Sequence, residues 1–435
     1  MTAPSASAKH DYYEATPAST GYAAPAGASD HAICIVGGGF AGLATAMSLL
    51  ERGERHIVLL EAERIGHGGS GRNGGFVFGG YSLGEDQLCR QVGVQEARDL
   101  YGLTLDAVAA IRRRIDQHRI DCAPVHAGVL LADWLHDGPA LERRRRFMLE
   151  QMGVEWHTVP PATLAELLLT DRYGAALFEP GAFHFNPLQY ARGLARVLHD
   201  GGVAVHEQAR VTGLARAGAG WRIETAGAVL HARELVLCCG GYLDGLQPAL
   251  ARAMLPIATY VMVTEALGER MAAVMRTRAA VYDTRFAFDY YRPLPDSRLL
   301  WGGRIGVRPR SRADVMRLLR ADLLRVYPQL ADVRIEHAWS GAMSYGRHQM
   351  PQLGRLPDGA WYAMGFGGHG VGPTTVAGEA LAAALTGDGA LLARFARWGL
   401  PWTGGAAGLA AAQLSYWGRQ GLDWARAAKR KWPPW

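Results

Sequence analysis

The stretch that decides the fold is Cys34–Glu61, CIVGGGFAGLATAMSLLERGERHIVLLE. Ala32 to Val36 is a short apolar run, suited to a parallel strand buried on both faces. Gly37-Gly38-Gly39-Phe40-Ala41-Gly42 follows. Leu43, Ala46, Met47 and Leu50 then recur at i, i+3, i+4 and i+7, the period of an amphipathic helix. Gly53 stops that helix, Ile57 to Leu60 forms a second buried strand, and Glu61 stands at its tip. Strand, glycine turn, helix, strand and acid together make a dinucleotide cradle. The glycines let the backbone turn tightly and approach a pyrophosphate, and the helix N-terminus offers it free N–H groups and a positive dipole end. Glu61, 24 residues after Gly37, is placed to accept from both ribose hydroxyls. The bland alternative is a glycine-rich turn in some other α/β protein. Nicotinamide and flavin cofactors share this cradle, so the stretch leaves the choice between them open.

The chain has 435 residues, long for one core and right for two. Its composition, 49% hydrophobic and 20% charged, is that of a globular protein. The formal charge of +6 is spread thinly, and the run Arg143–Arg146 reads as the solvated face of a helix, so no nucleic-acid partner is expected. Lys9, Lys429 and Lys431 are the only lysines, which excludes any mechanism that needs a core lysine, such as a Schiff base. Five cysteines without a Cys-x-x-Cys pair argue against a disulfide framework and for a reduced cytoplasmic setting. No metal site is expected. The first 30 residues lack the apolar core of a signal peptide, and no uncharged apolar run reaches 18 residues.

Further along, the pattern alternates. Residues 85–180 are helix-rich and charged, with a strand at Gly128–Ala132. Asn186-Pro187 opens a helix to His199, and Glu234 to Gly241 is an apolar strand ending in a glycine pair. Residues 255–340 read as antiparallel strands plus one helix, Ala313 to Tyr327. Trp361 to Leu385, WYAMGFGGHGVGPTTVAGEALAAAL, is strand, glycine turn and helix once more. The expected class is α/β (α+β overall). A Rossmann-like cofactor domain of residues 31–84, 181–250 and 340–400 interleaves with a substrate domain of antiparallel sheet plus helices, residues 85–180 and 251–339. A loose N-terminal arm, 1–30, precedes them and a basic amphipathic helix, 401–435, follows.

A nicotinamide dehydrogenase would place its cofactor domain in one block. Here a second glycine turn, Gly365 to Gly370, lies some 330 residues after the first with a helix behind it. Such a helix N-terminus suits the electron-rich end of a reduced flavin. A third glycine-rich loop, RIGHGGSGRNGG (Arg64–Gly75), follows Glu61. Its Ser70, Arg72 and Asn73 are candidate donors to phosphates or to the ring edge, and a plain surface loop is the other reading.

These motifs resemble the FAD-dependent oxidoreductases of the D-amino-acid-oxidase family, which includes glycine oxidase and sarcosine oxidase, and within it the gamma-glutamylputrescine oxidase branch. DYYEATPA (Asp11–Ala18), GGSGRNGG (Gly68–Gly75), FEPGAFHFNPLQYARGLA (Phe178–Ala195) and GFGGHGV (Gly365–Val371) carry the resemblance over roughly residues 11–400. It implies FAD as cofactor. Gly37, Gly39, Phe40, Ala41 and Gly42 would then hold the pyrophosphate, and Glu61 with Ala62 the adenosine ribose. Ser70, Gly71, Arg72, Asn73 and Gly74 would approach the flavin and phosphates. Val211 would contact adenine, Gly240 and Gly241 would end the returning strand, and Gly368, His369, Gly370 and Val371 would cap the pyrimidine end of the ring.

The chain also departs from its relatives. Gly341-Ala342-Met343-Ser344 has no cysteine where sarcosine-oxidase-like members tether FAD, and Asn73 stands where dimethylglycine-type members have a histidine. Noncovalent FAD is therefore expected. Ser297–Gly303 lacks the oxygen-activating lysine of sarcosine oxidases, so O2 or another electron acceptor is left open. The reaction the family implies takes hydride from the carbon bearing a neutral amine to flavin N5, and the imine hydrolyses to an aldehyde or oxo acid. The partner is then a small-molecule amine. His369, Tyr290 and Arg292 are the candidate catalytic and substrate residues. Arg304 is a second candidate for a substrate carboxylate and Tyr291 a second pocket wall; ordinary strand residues are the alternative for each. Cys238-Cys239 reads as buried strand, since adjacent cysteines close a strained ring.

In the tail, Leu414, Trp417, Gly421, Trp424 and Ala428 share one helical face, with Arg419, Arg426, Lys429, Arg430 and Lys431 supplying charge. Two readings compete: docking on the chain itself or a second subunit, and peripheral contact with a membrane. The oligomeric state is not legible.

Overall fold

The computed structural model describes residues 11–15 and 21–429. Its first sheet is ordered Gln352–Arg355, Trp361–Met364, Ala228–Leu237, Gly27–Val36, Ile57–Leu60, Ala204–His206. All neighbours are parallel except the edge strand Gln352–Arg355. The hairpin Val211–Ala217 and Gly220–Thr225 extends this sheet from Ala228–Leu237. Alternation along the opening strand sorts its two faces. Ile33 and Ile35 join a buried cluster with Leu43, Met47, Leu194 and Leu381 of the flanking helices. Cys34 and Val36 join Trp221, Ile223 and Tyr362 on the opposite side. Burial on both faces is why these strands read as unbroken apolar runs.

The second sheet is ordered Ile335–Tyr345, Leu255–Thr264, Leu299–Gly306, Tyr290–Pro293, Ala280–Asp283, Val129–Ala132, Ala176–Glu179, His157–Val159. It is antiparallel except between Ala280–Asp283 and Val129–Ala132. The helix Arg312–Val326 buries Val315, Leu319 and Leu323 against Tyr291, Trp301 and Ile335. Ser311 caps that helix by accepting from the Asp314 N–H at 3.1 Å. A small separate sheet pairs Phe76–Val77 antiparallel with Phe183–His184.

Three sequence expectations need correction. The helices Glu85–Val92 and Val94–Gln117 fall within the expected substrate domain. They pack in the cofactor-domain core instead, where Leu88, Leu100 and Ile111 share a cluster with Leu43 and Leu381. The strand Ile335–Tyr345 runs across the expected boundary at 340 and lies wholly in the second sheet. Where it is described, the N-terminal arm is not loose. Gly27 to His31 pair with Ala228 to Ala232, and Tyr13 is fully buried. The Tyr13 hydroxyl donates to the Asn73 carbonyl at 3.1 Å, and Glu14 pairs with Arg192 at 2.7 Å. Ala18, Arg430, Lys431 and the last two tryptophans lie outside the described residues.

Candidate active site

The carboxyl ends of Gly27–Val36, Ile57–Leu60 and Ala228–Leu237 open on one cavity of about 1700 Å³. That exceeds the ~300–1,000 Å³ of a drug-sized pocket and leaves room for a dinucleotide with a substrate. The place is also the one expected, since ligands of open α/β sheets bind beyond the strand ends.

At the first glycine turn the glycines are obligatory. Gly37 has φ +116°, and a Cβ there would stand 2.7 Å from the Cys238 carbonyl oxygen. A Cβ on Gly42 would stand 2.0 Å from the Gly37 carbonyl oxygen, so Gly42 allows helix and strand to touch. The helix Phe40–Glu51 has no side-chain cap from its N-cap, Gly39. Ser70 Oγ accepts only the Phe40 N–H, at 2.8 Å, which leaves the helix end facing the cavity with donors to spare. Glu61 Oε2 accepts from the Gly38 N–H at 2.7 Å and Oε1 from the Glu63 N–H at 2.9 Å. A carboxylate offers about four acceptor sites, so about two remain for ribose hydroxyls. Burial raises the pKa of Glu61, an environment that further donors would relieve.

The second glycine turn lies across the cavity. Its Gly368 N–H donates to the Tyr345 hydroxyl at 2.9 Å, and a Cβ on Gly367 would meet Ser82 Oγ at 2.3 Å. The helix Val371–Leu385 starts here, again with no side-chain cap. Two uncapped helix ends, the glycine cradle and the half-used carboxylate fit the flavin dinucleotide that the motifs imply. A nicotinamide cofactor would leave the second helix end without a role.

All the sequence-named cofactor residues line this cavity except Gly42 and Gly71. Gly71 is instead packed against Gly66, whose carbonyl oxygen would lie 2.4 Å from an added Cβ. Asn73 lines the cavity but is not a free donor. Its Nδ2 donates to the Gly69 and Ser70 carbonyls at 3.2 and 2.7 Å, and its Oδ1 accepts from the Gly75 N–H at 2.8 Å. It therefore shapes the loop. Cys238 and Cys239 line the strand end as free thiols. Burial pushes the Cys239 thiol up to about 12, which suppresses the thiolate.

The catalytic candidates divide. Tyr290 lines the cavity among Phe76, Phe78, Tyr282 and Phe288. Tyr291 does not; it is fully buried, stacked on Trp301 at 4.4 Å. Arg292 is a correction. It is buried, and its guanidinium donates to the Gly74 carbonyl at 2.6 Å, the Phe185 carbonyl at 2.9 Å and the Tyr13 hydroxyl at 3.1 Å. It clamps the loop at Gly74 and does not line the cavity. Its fourth partner, His184 Nδ1, lies at 3.3 Å. His184 Nε2 faces the Arg278 carbonyl at 2.8 Å, so Nε2 carries the proton and Nδ1 accepts. Burial and Arg292 hold its pKa down at about 3, keeping it neutral. Arg304 is likewise committed, bidentate to Asp322 at 2.6 and 2.8 Å.

His369 lines the cavity, edge-on to Phe78 at 4.3 Å. Its Nε2 lies 2.8 Å from the Gly79 carbonyl, an acceptor only, so Nε2 is protonated and Nδ1 keeps its lone pair. Burial lowers its pKa, so the ring is neutral. Sequence reading missed the groups that support it. Ser82 Oγ accepts from the His369 N–H at 3.2 Å. Gly79 presents its N–H to Glu179, a buried carboxyl pushed up to about 7 by desolvation. The glycines of FVFGGYS, Phe76–Ser82, were the available signal.

Glu179 supplies a pH test. Its folded pKa is above its unfolded value of 4.5, so the folded state holds the proton longer and stability falls as pH rises from 4.5 to about 7. Glu179→Gln keeps an acceptor for Gly79 and removes this penalty. The variant's thermal midpoint relative to the unmodified chain is expected to rise across that window and level off above it. A difference independent of pH would contradict the assignment.

Among the described residues no three His, Cys, Asp or Glu gather as a metal site, and no helix is long and apolar enough to cross a membrane.

Known proteins resemble this chain over most of its length. The DAO family model, described as FAD dependent oxidoreductase, matches residues 32–384. The chain is 34% identical over 358 residues to the gamma-glutamylputrescine oxidoreductase of Escherichia coli K12, covering 82% of this chain and 84% of that one. It is 31% identical to the probable oxidoreductase OrdL of Haemophilus influenzae, covering 84% and 85%. Among solved structures, glycine oxidase from Geobacillus kaustophilus superposes with a TM-score of 0.70 at 19% identity, covering 86% of this chain and 98% of that one. L-proline dehydrogenase from P. horikoshii gives 0.71 at 19% identity, covering 86% and 100%.

Proposed function

The chain belongs to the DAO family of FAD-dependent oxidoreductases, and from that premise we propose that it oxidises the C–N bond of an amine on a gamma-glutamylated substrate. FAD is held without a covalent bond, since the Gly341–Ser344 segment beside the cavity has no cysteine. When bound, the flavin supplies the two-electron acceptor for a hydride leaving the carbon next to nitrogen. The chain's own groups do the rest. The aromatic wall of Phe76, Phe78, Tyr282 and Tyr290 excludes water and favours the neutral amine, whose free pKa is about 10. The neutral His369, oriented by Gly79, can accept an N–H of that amine at Nδ1. The imine product then hydrolyses to an aldehyde and ammonia. Electrons pass on to O2, giving peroxide, in a cytoplasmic setting.

The observation that most supports a glutamylated substrate is a cation on the cavity wall. With Arg292 and Arg304 committed, Arg347 lines the cavity, is exposed, and has no carboxylate partner among the described residues. A charge-assisted hydrogen bond from Arg347 to a glutamyl carboxylate is worth about 1.5–3 kcal/mol. Arg347→Ala is therefore expected to raise KM for gamma-glutamylputrescine roughly 10- to 100-fold with kcat little changed. Equal KM values for the two proteins would remove Arg347 from the site. One observation favours a second reading of the acceptor. The strand Leu299–Gly306 carries no lysine, so a dehydrogenase that serves another acceptor competes with the oxidase. Peroxide produced in step with aldehyde supports the oxidase; turnover only with an artificial acceptor supports the other.

A further inference from the structure

The C-terminal helix Gly405–Lys429 is seated by its polar side. The Ile305 N–H donates to the Tyr416 hydroxyl at 3.1 Å, the Val307 N–H to Gln413 Oε1 at 3.2 Å, and the Phe286 N–H to Asp423 Oδ2 at 2.8 Å. The Arg419 guanidinium lies 4.5 Å from the Phe286 ring centroid. That seating turns the apolar stripe outward. Leu414 is 64% exposed, and Trp417, Leu422 and Trp424 are each 59% exposed. Between them stand Gly418 and Gly421, and Ala410 lies one turn before Leu414, all exposed. Nearby, Trp402 is 64% exposed. A contiguous apolar face of this kind on a folded chain marks a contact surface.

We propose that this face docks the protein on an anionic phospholipid surface. The charge distribution selects that occupant. From Gly405 onward the sequence has five basic residues, Arg419, Arg426, Lys429, Arg430 and Lys431, and one acid, Asp423; Arg419 lies against Phe286, which leaves the other four cations for a surface. Asp423 faces the protein and accepts the Phe286 N–H, so the described part of the helix offers no exposed acid. An anionic headgroup layer matches the cations while tryptophan and leucine enter the interface. A second copy of the same helix would bring two cationic segments together with no acid between them. The helix also lines the cavity through Gly408, Ala412 and Gln413, so docking would hold the mouth of the site near the lipid. The proposal is independent of which amine is oxidised.

The test is co-sedimentation of the full-length flavoprotein with two kinds of vesicle, phosphatidylcholine alone and an equimolar mixture with phosphatidylglycerol. Sedimentation with the mixed vesicles only, reversed by salt, is expected. The double variant L414S/W417S, checked for its flavin spectrum, is expected to lose roughly tenfold or more of that binding. R426E, a surface change far from the fold's interior, is expected to weaken it in the same direction. The proposal is overturned if the chain stays in the supernatant with mixed vesicles, if it binds both vesicles equally, or if L414S/W417S binds undiminished. A dimer that L414S/W417S dissociates, with no vesicle binding by the unmodified chain, would assign the face to a second copy and overturn it too.

Discussion

Gly37→Ala is expected to yield a folded protein that purifies without flavin. The reason is local. Gly37 ends the opening strand at φ +116°, and an added Cβ would meet the Cys238 carbonyl oxygen at 2.7 Å and its carbon at 2.9 Å. Both neighbours are backbone held in the sheet, where the Cys238 N–H donates to the Val36 carbonyl at 2.8 Å. Neither can swing aside as a side chain would. Strain of this kind costs about 1–3 kcal/mol, and the strained atoms belong to the turn we propose approaches the pyrophosphate. Affinity for FAD is expected to fall roughly 100-fold. Gly53→Ala is the control. Gly53 also has a positive φ, +88°, yet a Cβ there meets nothing. It shares the backbone strain without the clash or the site, so its flavin content is expected to match the unmodified chain. Titrating FAD into flavin-stripped protein checks both. An unchanged dissociation constant for Gly37→Ala would mean that the cradle is not where the cofactor's phosphates sit.

The second large effect is expected from Arg292→Met. Removing the guanidinium leaves the Gly74 and Phe185 carbonyls and the Tyr13 hydroxyl without their donor, all in a region closed to water. Each buried group so abandoned costs about 1–3 kcal/mol. A loss of ~3–5 kcal/mol and a fall of several degrees in the thermal midpoint are expected. Because Gly74 belongs to the loop beside the cavity, flavin is expected to leave in the same transition. Arg292→Lys is expected to rescue little, since an ammonium cannot reproduce the fork that reaches four acceptors at once. If Arg292 instead bound the substrate carboxylate, the methionine variant would keep its stability and flavin and show a raised KM. Thermal unfolding followed by flavin release distinguishes the two.

Arg292 also shows where sequence stops being informative. Its partners come from positions 13, 74, 184 and 185, and no spacing rule connects them. On a strand with Tyr290 and Tyr291, an arginine reads equally well as a substrate ligand or a strut. Tyr13 is similar: in the sequence it sits in a polar arm, and only the fold shows it buried under Trp339 at 5.5 Å. The cradle at Cys34–Glu61 was legible because its logic is local. Glycines, a 3.6-residue period and an acid at a strand tip all lie within one short stretch. The second turn at Gly365–Val371 was legible for the same reason, and pairing it with the first narrowed the cofactor. The tail was half legible. Periodicity found the Leu414–Trp424 stripe but not its direction. An apolar stripe is expected to face inward, yet Gln413, Tyr416 and Asp423 found backbone N–H partners on the protein and turned the stripe out.

The central claim is that this chain holds FAD noncovalently and uses it to oxidise an amine. It is tested most directly by the visible spectrum of the purified full-length protein during anaerobic addition of gamma-glutamylputrescine. A flavin spectrum that bleaches on addition, with the flavin released into the supernatant when the protein is precipitated with acid, is the predicted result. A colourless protein that gains no flavin spectrum from added FAD, or a flavin that no amine bleaches, would contradict it.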